Sequence, residues 1–492
     1  MKVLLVSFFN DEAYGVRAIH SSLVDKGIDA AMLFFKLNGY HEKSYDDRIK
    51  DDFTANLDNA SRHEIDLLVS HIKDNRYDVV GFSLVSHHFS LYRRIYKELK
   101  DIDHLTIVVG GWEASLNPDK CIPYADFLCI GEGEEPLCEL IEKLESKGPT
   151  EKIRNFWVRK NGAVIRNPVR PLPGDLSSFP VPLLEHRYSH VIENNRIDNY
   201  EPYFDNSRYG TFVGRGCPYR CTYCSNSYMA RSVYPGQWSK VRYRSIEHVQ
   251  EELLAVKERL GQVKSINFYD EVFTPGIEWT RDFFSWYRSV IGIPFYVFFF
   301  PGTCSDEKAR LLADSGLKGI WIGVQSGSQR VRNEVFKRRY SNEQLINQAR
   351  IFHKYGVSIR YDFILDNPFE TFEESLESIF MMMELPRPFS LNLFSLKYFP
   401  NTEITGMARA AGFITEADID DNGNSDRDTY VIHRDRGSLD NRFINHLAFY
   451  ISCLSTTSAL SDKKAQIHRL IQGYRRSNDI TPVEDAVRPF LR

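Results

Sequence analysis

Residues 210–225 read Gly-Thr-Phe-Val-Gly-Arg-Gly-Cys-Pro-Tyr-Arg-Cys-Thr-Tyr-Cys-Ser, and the rest of the chain is read outward from them. A short run of strand character, Gly210 to Val213, leads straight into a loop with Cys-x3-Cys-x2-Cys spacing. Gly214 and Gly216 give the loop unusual backbone freedom, so Cys217, Cys221 and Cys224 can be turned onto one site. Three thiolates suit a [4Fe–4S] cluster with one iron left open, since full ligation would take four. Structural zinc is the alternative. It wants four ligands, and the fourth would have to come from His186, His190 or His248, none at finger-like spacing.

Downstream the pattern alternates. Strands are expected at Gly210 to Val213, Lys264 to Tyr269, Pro294 to Phe300, Gly319 to Val324, Ile359 to Leu365 and Leu391 to Tyr398. Helical spacing separates them at Ile246 to Leu260, Trp279 to Val290, Ser305 to Ser315 and Ser341 to Tyr355. Six such units predict an α/β architecture with a complete or partial (β/α)6 TIM-like barrel, whose chemistry belongs at the C-terminal ends of its strands. Every residue singled out in the barrel is expected at such an end.

Upstream, apolar runs at Val3 to Phe9, Ala30 to Phe35, Val79 to Val85, Leu105 to Val109 and Phe127 to Ile130 alternate with helical segments. Continuous apolar strands of this kind are covered on both faces, which predicts a doubly wound, Rossmann-like domain of five strands. The polar stretch from Leu37 to about Arg62 is an excursion on that frame. Residues 155–168 predict a hairpin turning at Asn161-Gly162, and Pro171, Pro173, Pro180 and Pro182 predict a semi-rigid linker. Residues 415–440 are polar and acidic, and Asn441 to Tyr474 predicts helix. The division is 1–150 Rossmann-like domain, 151–205 hairpin and linker, 206–400 barrel and 401–492 helical C-terminal region.

The 492 residues are 42% hydrophobic and 26% charged, as in soluble globular proteins. A net charge of −4 gives no electrostatic case for nucleic acid as a partner. The N-terminal apolar run is too short for a signal peptide. The longest apolar run elsewhere, Phe295 to Phe300, is far short of the roughly 20 residues a bilayer span needs. A cytoplasmic location is expected. Five further cysteines, Cys121, Cys129, Cys138, Cys304 and Cys453, are then read as packed thiols rather than disulfide partners.

Over about residues 205–400 the chain resembles radical S-adenosylmethionine (SAM) enzymes. The resemblance implies that the open iron of the cluster is chelated by SAM, whose reductive cleavage gives a 5′-deoxyadenosyl radical. It also implies SAM contacts: Tyr223 near adenine, Tyr269-Asp270-Glu271 toward the amino group, and Gln325-Ser326 near ribose and carboxylate. Glu is common at the position of Gln325. Arg360 and Asp362 to Asn367 lie on the strand that lines the adenosyl pocket in the family. Cys304, just past the third barrel strand and so expected on the active-site side, is a weak candidate for a catalytic hydrogen donor, a packed thiol being the plainer reading.

The first domain resembles the cobalamin-binding domain of the B12-dependent radical SAM class. The matching residues are Ser83-Leu-Val, Gly110-Gly111 and Gly131-Glu132-Gly-Glu. The Asp-x-His-x-x-Gly motif of other cobalamin proteins is missing, the equivalent stretch being Asp11-Glu-Ala-Tyr-Gly15. This implies cobalamin held without a protein histidine, or a domain that no longer binds it. The expected reaction is cobalamin-dependent methylation of an unactivated carbon, or of phosphorus. Radical cyclisation, oxidation or rearrangement, and a non-catalytic cobalamin or redox sensor, are the alternatives. A small-molecule substrate and an electron donor such as flavodoxin or ferredoxin are the implied partners.

Overall fold

A computed structural model describes residues 1–37, 60–419, 437–457 and 459–491. Most of the polar excursion after Leu37 and of the acidic stretch 415–440 lies outside the described residues.

Five parallel strands, β1 Lys2–Phe8, β2 Asp29–Phe35, β3 Val79–Ser83, β4 Thr106–Gly110 and β5 Phe127–Cys129, form the centre of the first sheet. Their spatial order is β5-β4-β3-β1-β2. The chain therefore reverses direction across the sheet between β1 and β3, and a crevice opens at such a switch point outside the strand ends. Helices including Tyr14–Asp25, Arg62–Asp74, Phe89–Leu99 and Glu134–Glu145 supply the apolar faces of the cores on either side.

Among the described residues the sheet has nine strands, not five. The expected hairpin, β6 Phe156–Lys160 and β7 Ala163–Arg166, pairs antiparallel onto β5. A second hairpin, β8 Ser189–Glu193 and β9 Arg196–Asn199, lies within the stretch read as a proline-rich linker, and β8 runs parallel to β2. The physical reason is the edge of β2. Met32 to Phe35 are buried, and Ser189 to Ile192 pair with them across an edge that would otherwise be open. Glu201, just beyond β9, locks this arrangement. Its oxygens accept from Arg17 at 2.7 and 2.8 Å, and both side chains are fully buried. Arg17 in turn donates to the carbonyls of Asp11 and Glu12.

The second sheet consists of β10 Arg208–Thr211, β13 Ser265–Phe268, β14 Phe295–Phe299, β15 Leu317–Gln325, β16 Ser358–Leu365 and β17 Ser390–Ser395. All neighbours are parallel, in chain order from β10 to β17, which makes an open six-stranded partial barrel. A small antiparallel pair, β11 Gly214–Arg215 with β12 Arg242–Tyr243, brackets the cysteine loop. Ser245, Ser305, Ser341 and Thr371 cap the helices outside the barrel by accepting backbone N–H groups.

Helix Leu439–Leu454 packs on helix Phe372–Glu384, and helices Ala459–Ser477 and Thr481–Val487 follow it. Their apolar residues join the barrel core. Among the described residues no helix is long and apolar enough to cross a membrane.

Candidate functional site

The cysteine loop is built from backbone contacts. The N–H groups of Val213 and Gly214 donate to the two oxygens of Asp270, at 3.0 and 2.7 Å, which ties the loop to the end of β13. Burial pushes this carboxyl up to about 7. Cys217 N–H donates to the Trp238 carbonyl (3.2 Å), and Thr222 N–H to that of Phe336 (3.2 Å). At Gly216 φ is +108°, and a Cβ there would lie 2.6 Å from the Trp238 carbonyl oxygen, so only glycine fits. Helix Glu403–Ala410 closes over the loop through Ile404 N–H to the Thr222 carbonyl.

Cys217, Cys221 and Cys224 are free thiols, the first two buried and the third half-buried. Burial pushes Cys224 up to about 12 and Cys217 up as well. A coordinated metal holds such groups as thiolates. Two donors reach the sulfurs. Asn226 Nδ2 lies 3.7 Å from Cys224 Sγ and 2.6 Å from Glu271 Oε2, and its Oδ1 accepts from Trp238 Nε1 at 2.9 Å. The Arg338 guanidinium donates to Cys221 Sγ and the Tyr223 hydroxyl, both at 3.3 Å, and to the Gly323 carbonyl at 2.5 Å. It lies 4.4 Å from the Phe300 ring centre. Hydrogen bonds and positive charge at cluster sulfurs raise the reduction potential. If these three sulfurs hold a cluster, Arg338→Met should lower its potential by on the order of 60 mV, one decade for a one-electron couple, in a titration followed by electron paramagnetic resonance (EPR).

Of the three histidines that could complete a zinc site, His186 Nδ1 accepts from Glu201 N–H at 3.0 Å and His190 packs on His71. His248 Nδ1 accepts from Arg244 Nε at 2.9 Å, and its Nε2 is buried without a hydrogen-bond partner among the described residues.

A cavity of about 430 Å³ lies between the cysteine loop and the first sheet. One wall holds Ser83 and Gly110, the last residues of β3 and β4, with Gly111, Gly131 and Glu132 from the loops that follow β4 and β5. The other holds Gly214 to Gly216, Tyr269 and Glu271. Its inner end is apolar, with Leu5, Val16, Ile19, Val108 and Phe156. An adjoining cavity of about 300 Å³ shares Tyr14, Ser83, Gly111, Trp112 and Trp238 with it and lies over the ends of β1 and β3.

The glycines of this wall differ. Gly111 has φ +91° and ψ −169°, a region essentially reserved for glycine. A Cβ there would sit 2.6 and 2.7 Å from the backbone of Leu84. At Gly131, with φ +83°, a Cβ would collide with the Tyr234 ring. At Gly110 it would meet only Cys129 Cβ at 3.7 Å, an ordinary contact. Gly111→Ala should cost about 3 kcal/mol of stability and Gly110→Ala under about 1, as measured by urea unfolding.

Glu132 belongs as much to the domain junction as to the cavity. Its oxygens accept from Arg242 at 2.5 and 3.1 Å, and Arg215, inside the cysteine loop, lies 2.7 Å from Glu134 and 3.7 Å from Glu132.

In the barrel, Gln325 ends β15 at φ +74°, rare for a non-glycine residue, and its Oε1 is buried without a hydrogen-bond partner among the described residues. Backbone strain of this kind clusters at ligand sites. Ser326 Oγ is engaged by Glu370 Oε1 (2.8 Å). Asp362 lies midway along β16, accepts from Asn392 Nδ2 at 2.7 Å, and is pushed up to about 7 by burial. Arg360 departs from the expectation of a strand-end position. It is the third residue of β16 and donates to Ser390 Oγ at the start of β17 (3.1 Å), so it lies toward the barrel floor. Cys304 is buried in the barrel core, its Sγ donates to the Ser305 carbonyl, and burial pushes it up to about 12.

The model of the Radical SAM superfamily matches residues 211–381, and that of the B12 binding domain matches residues 12–141. The chain carries a radical SAM domain. Its radical SAM barrel follows a B12-binding domain, and the two matches fall on the two sheets that face each other across the cavity. An uncharacterized methyltransferase of Pyrococcus horikoshii is 25% identical over 303 residues, covering 60% of this chain and 62% of that protein. Cytidylyl-2-hydroxyethylphosphonate methyltransferase of Streptomyces wedmorensis is 26% identical over 338 residues, covering 62% and 60%. The match thus spans about three fifths of the length of these relatives.

In fold, the chain resembles the radical SAM methyltransferase TsrM of Kitasatospora setae, with a TM-score of 0.64, 17% identity, and coverage of 84% of this chain and 77% of that one. It also resembles the cobalamin-dependent SAM radical enzyme OxsB, with a TM-score of 0.65, 15% identity, and coverage of 96% and 71%. The cofactors of this radical SAM architecture are a [4Fe–4S] cluster, SAM and cobalamin. The residues fit them. Three free thiols share one loop, the Gln325 amide oxygen is unpartnered among the described residues, and the tight backbone at Gly111 and Gly131 lets the cavity floor run close to a ligand.

Proposed function

We propose that this chain is a cobalamin-dependent methyltransferase that acts on an unactivated carbon, or on phosphorus, of a small molecule. The observation that carries the proposal is the single cavity walled by the Ser83, Gly111 and Gly131 loops on one side and by the cysteine loop and Glu271 on the other. When bound there, the cluster supplies the electron that splits SAM into methionine and a 5′-deoxyadenosyl radical, and the corrinoid carries a methyl group.

The chain's own residues hold and orient. Cys217, Cys221 and Cys224 bind the cluster, and Asp270 fixes their loop by its backbone. Glu271, steadied by Asn226, presents a carboxylate to the ammonium group of SAM, and Gln325 offers its amide. Tyr223 gives adenine a ring face. Asp362, on the same barrel strand as Arg360, adds a buried carboxyl, and Trp112 and Trp238 line the cavity. A reductant of the flavodoxin or ferredoxin kind and a cytoplasmic location accord with eight cysteines that are all free thiols.

The test is anaerobic reconstitution with iron, sulfide and hydroxocobalamin, then incubation with SAM and dithionite. The proposal expects 5′-deoxyadenosine and S-adenosylhomocysteine together. 5′-Deoxyadenosine alone would favour cyclisation, oxidation or rearrangement, and neither product would leave a sensor.

A further inference from the structure

The loop after β1, where other cobalamin proteins carry a ligating histidine, has little to give a metal. Tyr14 donates its hydroxyl to Glu252 at 2.9 Å and receives Arg244 at 3.3 Å. Asn10 Oδ1 accepts the Ala13 N–H at 2.8 Å. Asp11 meets Asn206 at 3.3 Å, and Glu12 meets Arg208 at 3.3 Å.

The loop after β3 differs. It turns through Ser86–His88 into helix Phe89–Leu99 and brings His88 into the wall of the smaller cavity, beside Ser7, Asn10 and Val85. Among the described residues His88 is the one histidine in the wall of either cavity. Its ring rests on Phe8 and Phe9, with ring centres 5.9 and 5.4 Å apart, and it is 5% exposed. Its Nε2 is buried with no hydrogen-bond partner among the described residues. Leaving such an atom unpaired costs about 1–3 kcal/mol, so an unpaired buried nitrogen beside a ligand cavity points to a missing partner. Burial holds the ring's pKa well below the usual histidine value, so the imidazole is neutral and keeps a lone pair. Neutral imidazole is a metal ligand, and β1 and β3 flank the switch point where a ligand sits in such sheets.

We propose that His88 is the protein's axial nitrogen ligand to the cobalt of a corrinoid seated in this crevice, supplied by the loop after β3 in place of the loop after β1. This rests on the reading that the cavity holds cobalamin, and the test separates the two. Protein prepared anaerobically, loaded with hydroxocobalamin and reduced to the Co(II) form is studied by EPR spectroscopy. One axial 14N splits each cobalt line into a triplet, and one axial 15N splits it into a doublet.

The expected result is triplets in the unlabelled protein and doublets after growth on 15N-histidine. The splitting should be lost in His88→Ala and in the more conservative His88→Asn, and kept in His87→Ala. Triplets that ignore the label would come from the cofactor's own base and would overturn the proposal. So would the absence of nitrogen splitting, or label-sensitive splitting that survives both His88 variants. These three outcomes leave cobalamin binding standing, whereas failure to retain cobalt after gel filtration overturns both readings. The labelled wild-type protein tests the proposal even if neither variant folds.

Discussion

Glu201→Gln should destabilise the protein by roughly 3–5 kcal/mol, because removing one partner of a buried ion pair leaves the other charge uncompensated. The substitution keeps the shape of the side chain and removes only its charge. Arg17 would then stay fully buried, between the rings of Phe34 and Tyr203, with its carboxylate partner gone. Ser189 Oγ and Tyr203 N–H, which donate to the same carboxylate, would meet a group with half the accepting capacity. The double variant Arg17→Met/Glu201→Leu should recover much of the loss, since apolar replacements of a buried pair are often close to neutral. Urea unfolding followed by tryptophan fluorescence measures both. A Glu201→Gln midpoint equal to wild type would show that the ion pair does not secure the second hairpin.

Alanine at Cys217, Cys221 or Cys224 should bring 5′-deoxyadenosine formation down to the level of a protein-free control, and iron content should fall with it. A cluster with one open iron has only three protein ligands, and losing one leaves two thiolates to hold it. The fold should tolerate the change. The loop is anchored by Asp270, Trp238 and Phe336 through its backbone, and none of these contacts needs a cysteine side chain. An unfolding midpoint within about 1 kcal/mol of wild type therefore serves as the control. Cys304→Ala, which removes a packed thiol, should keep full activity. A Cys217→Ala protein that retained iron and product formation would overturn the assignment.

The sequence made the strands legible where the physics of parallel sheets leaves a plain mark. Val79, Val80 and Phe82 in β3, or Ile107 to Val109 in β4, are apolar without a break because helices cover both faces. Asn161-Gly162 announced its hairpin, and both residues have positive φ, as that turn requires. The second hairpin was missed because Ser189-His-Val-Ile-Glu and Arg196-Ile-Asp-Asn are short and mostly polar, and prolines precede them. Its signal was Asn194-Asn195, also with two positive φ values.

Of the site, the cysteine loop was readable because its ligands are close in sequence. Asn226, Trp238, Arg338 and His88 were not, since each matters only through a neighbour that folding brings to it. Arg242 and Arg244 are buried on Glu132 and Glu252, and the first of these pairs forms only where the two sheets meet.

The second hairpin also sets where this chain can be cut. A fragment ending at residue 150 would leave Met32 to Phe35 as an open, apolar sheet margin and strand the Arg17 cation without its counter-ion. Such a margin recruits other chains, so that piece should precipitate. A fragment ending near residue 205 takes both hairpins with it. That longer piece should therefore stay in solution better than the shorter one, although its Glu132 would lose Arg242.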